Sequence, residues 1–122
     1  MATKAQTFIF LSRSAPYGSH RPQLCLDAVL AAAVFEQTVH YIFLDDGVYQ
    51  LLKEQDASGI NRKTLGKTLQ SLELYGVDQV YVDGESLNYR GLSTQDLLLP
   101  ATEINASGIR LLLRNADHVF NL

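Results

Sequence analysis

Cys25 is the only cysteine of the chain and its only thiol nucleophile. It falls about one turn into a stretch with helical spacing, where a helix dipole can lower a thiol pKa. Leu24 and Leu26 flank it, however, and cysteine in such a setting behaves as a small hydrophobe, so the structural reading is preferred. Three aspartates offer a second chemistry. Asp45 and Asp46 follow one apolar run and Asp83 follows another. Carboxylates so placed either hold a magnesium ion or cap the next helix, and capping is the commoner outcome. His20, His40 and His118 share no metal-ligand spacing with one another or with Cys25, so neither a metal nor a cofactor is expected. The loop SAPYGSHRP (residues 14–22) has one glycine, too few for a phosphate cradle, and no GxSxG elbow supports serine hydrolysis.

The elements that must position these residues are legible from periodicity. In Thr38 to Leu52, TVHYIFLDDGVYQLL, an apolar run (Val39, Tyr41, Ile42, Phe43, Leu44) stops at Asp45, Asp46 and Gly47. A cluster with helical spacing (Val48, Tyr49, Leu51, Leu52) follows at once. A buried parallel strand looks like this when it delivers a helix from its carboxyl end, the edge where ligands gather in open α/β sheets. One aspartate is expected to start that helix, with Gly47 allowing the tight turn.

Thr7 to Ser12 reads as the first strand. Gln23 to Phe35, opened by Pro22, reads as a helix apolar on nearly all sides and suited to burial on more than one face, by the sheet and by a partner. Lys53 to Gly59 reads as a polar loop. Asn61 is a plausible N-cap for a helix with Leu65, Leu69 and Leu72 on one face, Lys63 and Lys67 on another, and Gly76 at its end. Val77 to Val82 is a third strand and Glu85 to Arg90 a short helix closed by Gly91. Leu97 to Thr102 is a fourth strand, placed at a sheet edge by Pro100. Asn105 caps a last helix with Ile109, Leu112 and Leu113 inward, and His118 to Leu122 is the fifth strand. This alternation predicts a mostly parallel five-stranded sheet with helices on both faces, in a single domain spanning residues 1–122.

At 122 residues, with 47% hydrophobic and 19% charged, the chain has the composition of an ordinary soluble globule. A net charge of −3 gives no electrostatic footprint for nucleic acid or an anionic membrane. The amino terminus carries no signal-peptide pattern, and one cysteine fits a reducing cytoplasm.

Three segments taken together carry a family resemblance: FIFLSRSAPYGSHRPQLCLDAVLAAA, FLDDGVYQLL and YVDGESLNYRGL, the last with the SxxxRG ending from Ser86 to Gly91. They resemble the DsrE/DsrF/DsrH family of sulfur-relay proteins, most closely its TusC/DsrF branch. The resemblance implies a three-layer α/β/α fold with a five-stranded parallel sheet. It also implies a heterohexamer, a dimer of heterotrimers with TusB/DsrH-like and TusD/DsrE-like subunits, passing persulfide sulfur between small carrier proteins. In the Tus version the sulfur ends in tRNA 2-thiouridine, and in the Dsr version the relay serves sulfur oxidation. In D-like and DsrE subunits the persulfide cysteine opens the short helix after the third strand. The aligned position here is Asp83, so the resemblance implies no catalytic residue in this chain. Two other readings remain: Cys25 as a persulfide acceptor, and a magnesium-binding module of receiver type using Asp45, Asp46 and Asp83. Receiver domains, however, place their acidic pair after the first strand, which here ends in Ser12-Arg13.

Overall fold

The β-branched and aromatic run Thr7–Ser12 forms β1, which lies inside the sheet with a parallel neighbour on each side. Residues 5–52 and 66–122 are described in the computed structural model of the chain. The remaining strands are β2 (Thr38–Phe43), β3 (Gln79–Asp83), β4 (Thr102–Ile104) and β5 (His118–Asn121). Among the described residues these five strands pair in parallel throughout, in the order β4-β3-β2-β1-β5. The helices are α1 (Arg21–Val34), α2 (Gly84–Tyr89) and α3 (Ala106–Arg114), with helical residues 66–70 and a 3-10 turn Leu72–Tyr75 leading into β3. The expected loop Lys53 to Gly59, with Asn61, Lys63 and Leu65, lies outside the described residues.

Strand alternation divides the core into two layers. Phe10, Tyr41 and Val80 stand in register on one face, in a cluster with Cys25, Leu26 and Val29 of α1 and with Leu69 and Leu72. Ile9, Leu11 and Ile42 point to the other face, where Ile109, Leu112 and Leu113 of α3 cover them. Strands β1 to β4 step one way across the sheet, and the connection to β5 returns past β1. Right-handed crossovers place the returning helix on the opposite face. This is the three-layer α/β/α arrangement.

The structure corrects two local expectations. The fourth strand is Thr102–Ile104, not Leu97 to Thr102. Leu97 instead makes an isolated antiparallel bridge to Leu52 and is buried in the larger core, so its apolar run packs a connecting loop. Pro100, lacking an N–H, precedes a strand that does lie at the sheet edge. Within the single chain, helix α1 is buried on one side, through Cys25, Leu26, Val29 and Ala32, and Leu24 and Val34 on its other side are left exposed to a partner. Finally, the segment after β2 is a 3-10 helix, Asp45–Leu51, for a reason that belongs to the site.

Candidate functional site

Three strand ends converge at the carboxyl edge. Ser12 closes β1, and the buried Gln50 donates from Nε2 to the Ser12 hydroxyl at 2.9 Å and to the Ser14 carbonyl at 2.8 Å. The Leu44 N–H donates to the Ser12 carbonyl at 3.1 Å. The 3-10 helix is drawn so near β1 that a Cβ on Gly47 would lie 2.0 Å from the Ser12 carbonyl oxygen. Close approach, rather than a tight turn at its own φ, is what demands glycine at this position. The positive φ of the segment, 53°, falls on Asp45 instead. A non-glycine residue stays there only when its surroundings hold it.

Those surroundings come from β3 and α2. The Asp45 backbone N–H donates to Ser86 Oγ at 2.9 Å. The Ser86 hydroxyl donates to Asp83 Oδ2 at 2.6 Å, and the Ser86 N–H donates to the same oxygen at 3.2 Å. Asp83 is thereby the N-cap of α2. One turn later Arg90 donates from Nε and Nη2 to Asp46 Oδ1 at 3.2 and 2.9 Å, and from Nη1 to the Ser86 carbonyl at 3.1 Å. Arg13 lies 3.8 Å from the Asp45 carboxylate.

All three aspartates singled out by the sequence therefore meet at one edge, each with a partner from the chain itself. The expectation that Asp45 or Asp46 caps the following helix is corrected. Leu44 holds the N-cap position without a side-chain bond, and the Asp46 carboxylate is turned to Arg90. Among the described residues no group of three or more His, Cys, Asp and Glu side chains could hold a metal ion. Beside this network a cleft of about 510 Å³ opens between α2, β4 and the start of α3. Glu85, Asn88, Glu103, Asn105 and Ser107 line it, a lining that disfavours anions.

Cys25 is placed elsewhere, beneath β1 and β2. It is fully buried, and burial pushes its thiol up to about 11 although Ser12 and Tyr41 lie beside it. An inaccessible thiol with so high a pKa is inert at neutral pH, and the helix dipole does not outweigh the desolvation. The fully buried Tyr41 hydroxyl lies near Cys25 and Ser12 but meets neither in hydrogen-bonding geometry, and burial raises its pKa well above normal. The histidines are scattered. His40 stacks obliquely on Tyr81 at 5.7 Å, with its pKa lowered by burial. His118 pairs Nε2 with Gln6 Oε1 at 3.0 Å, and His20 is exposed at the head of α1.

Sequence reasoning missed Ser86, Gln50 and Arg90 as structural agents. The Asp-x-x-Ser spacing of Asp83 and Ser86 is that of a cap and its N3 residue, a signal available to inspection. Nothing local marks Gln50, whose partners lie 36 and 38 residues away.

The model of the DsrE/DsrF-like family matches residues 6–122. The chain belongs to the DsrE/DsrF-like family. Among curated relatives, the intracellular sulfur oxidation protein DsrF of Allochromatium vinosum is 37% identical, with 99% of each chain covered. The TusC homolog of Vibrio parahaemolyticus is 40% identical over 92% of this chain and 95% of its own. The TusC homolog of Pseudomonas aeruginosa is 35% identical, covering 97% and 99%. In fold, this DsrE/DsrF-like chain is similar to the ychN protein from E. coli, with TM-score 0.77, 22% identity, and 96% and 99% of the two chains covered. MTH1491 from Methanobacterium thermoautotrophicum follows at TM-score 0.67 and 15% identity, with 98% and 100% covered. Among the described residues of this family member, no helix is long and apolar enough to cross a membrane.

Proposed function

We propose that the chain is the non-catalytic, TusC-like subunit of a cytoplasmic sulfurtransferase complex that relays persulfide sulfur for 2-thiolation of the tRNA wobble uridine. The observation that carries this reading is at Asp83. By family resemblance, this position is where D-like and DsrE subunits hold their persulfide cysteine. Here it holds a carboxylate bonded twice to Ser86 as the cap of α2. A carboxylate forms no stable persulfide, and Glu85 and Glu103 on the neighbouring cleft oppose an approaching thiolate. The chain's one thiol, Cys25, is buried and alkaline. Sulfur chemistry then belongs to a TusD/DsrE-like partner, with a TusB/DsrH-like subunit completing each heterotrimer and two trimers forming the hexamer. Exposed Tyr17, Tyr75 and Tyr89, and the open apolar side of α1, support a subunit role. The small carriers dock on the assembly, and the chain's net charge of −3 argues against its own contact with RNA.

The test is replacement of the resident TusC in a bacterium that makes 2-thiouridine, with the modified nucleoside quantified in its tRNA. Restored 2-thiouridine is expected, together with co-purification of the TusB and TusD partners. Unrestored 2-thiouridine would sink the tRNA endpoint. A second reading, a DsrF-like subunit of a dissimilatory sulfur-oxidation relay, draws on the 37% identity to the Allochromatium vinosum protein. Rescue of sulfur oxidation without rescue of tRNA thiolation would favour it.

A further inference from the structure

The opposite end of β3 carries a different surface. The 3-10 turn Leu72–Tyr75 and the residues entering β3 enclose a groove of about 190 Å³. Leu99 and Pro100 give it an apolar wall over the buried Leu72, Val77 and Val80, and its rim carries Glu73 and Asp78. Both carboxylates are exposed, and neither side chain has an ion-pair or hydrogen-bond partner among the described residues. Leu74, 86% exposed, and Tyr75, 54% exposed, stand on the same turn as Glu73. Asp78 on the groove's rim lies five residues before Asp83, about 16 Å along an extended strand at roughly 3.3 Å per residue. The groove is therefore separate from the carboxyl-edge network.

We infer that this groove is a docking site for an arginine or lysine side chain presented by a partner protein. The volume is below the roughly 300–1,000 Å³ of small-molecule pockets, which fits one side chain rather than a metabolite. An aliphatic stem gains by lying on Leu99 and Pro100, while its cationic head reaches the two rim carboxylates. The same charge argues against a second copy of this chain, because a two-fold contact through the groove would set Glu73 and Asp78 against their own images. The exposed Leu74 and Tyr75 supply the apolar and aromatic contact that usually surrounds such an anchor. The partner's identity as a sister subunit rests on the assembly reading above, but the chemistry of the groove does not.

Two measurements decide it. The first titrates the purified chain with n-butylguanidinium, the arginine side-chain analogue, and with n-butanol and n-butyrate, followed by amide NMR. Saturable millimolar shifts at Val77, Asp78, Val80 and Leu99 are expected for the guanidinium only, and are lost in E73Q/D78N. Equal response to butanol, or unchanged response in the variant, overturns the inference. The second co-expresses wild type or E73K/D78K with the TusB and TusD subunits. Recovery of the complex falling at least tenfold in the variant supports the docking site. Undiminished recovery overturns it while leaving the relay reading intact. Failure of the wild type to assemble removes the relay reading instead, and the titration still settles the groove.

Discussion

Asp83 Oδ2 accepts from both the hydroxyl and the backbone N–H of Ser86, at 2.6 and 3.2 Å, so two adjacent elements are fastened through one oxygen. Ser86 extends the fastening by accepting from the Asp45 N–H at the end of β2. Replacing Asp83 with Ala is expected to lower stability by about 1 kcal/mol, the usual effect of losing an N-cap. Ser86→Ala is expected to lower it by about 1–2 kcal/mol, because the part-buried Asp45 N–H loses its acceptor and Asp83 loses one of its two donors. In a double-mutant cycle followed by urea unfolding the two effects should fall short of additive by more than about 0.5 kcal/mol.

Gly47→Ala is expected to be far worse than Gly18→Ala. At Gly47 the new methyl group would meet the Ser12 backbone at 2.0 Å, and β1 is held by strands on both sides. A loss of about 3 kcal/mol or more is expected. Gly18 has open space but a φ of 89°, so Gly18→Ala meets only backbone strain, about 1 kcal/mol. Thermal unfolding of the two variants compares them directly.

Stability should fall on the alkaline side because of Cys25. The folded thiol is raised from 9.0 to about 11. Below pH 9 both folded and unfolded chains hold the proton, and this group favours the fold fully. As pH rises from 9 to 11 the unfolded chain gives up its proton first, so stability declines by about 2–3 kcal/mol and then levels. The buried Tyr41, also raised, steepens the decline. Cys25→Ser should reduce the slope in pH-dependent denaturation. Iodoacetamide at pH 8 should label Cys25 only in the unfolded chain.

The course of the strands was legible because buried parallel strands leave continuous β-branched and aromatic runs. Thr7–Ser12 begins and ends where the pattern did. The Asn105 cap was equally local, its side chain accepting from the Gly108 N–H at 2.8 Å. Leu97 to Leu99 misled because an apolar run packing a loop has the same composition as one in a strand. The site was half legible. Three aspartates marked the edge, but what they do there depends on residues 41 and 44 positions away, such as Ser86 for Asp45 and Arg90 for Asp46. Periodicity carries no record of such pairings.

Tyr41→Phe should be neutral or stabilising, which is unusual for a fully buried tyrosine. Its hydroxyl lacks a partner, so removal relieves a desolvated donor rather than breaking a bond. A gain of up to about 1 kcal/mol is expected in urea unfolding, whereas Tyr41→Ala should lose about 3–5 kcal/mol by opening a cavity.

The place of β1 between β2 and β5 has a kinetic consequence. Its pairing with β2 closes a connection about 30 residues long, whereas Thr7 meets Asp117 across a separation of 110. Loop-closure entropy makes the distant pairing the later one to form. β5, exposed along its whole length and bonded to one neighbour, is then the strand whose amides exchange with solvent soonest. Each such opening bares a flank of β1, the strand on which both core layers are built.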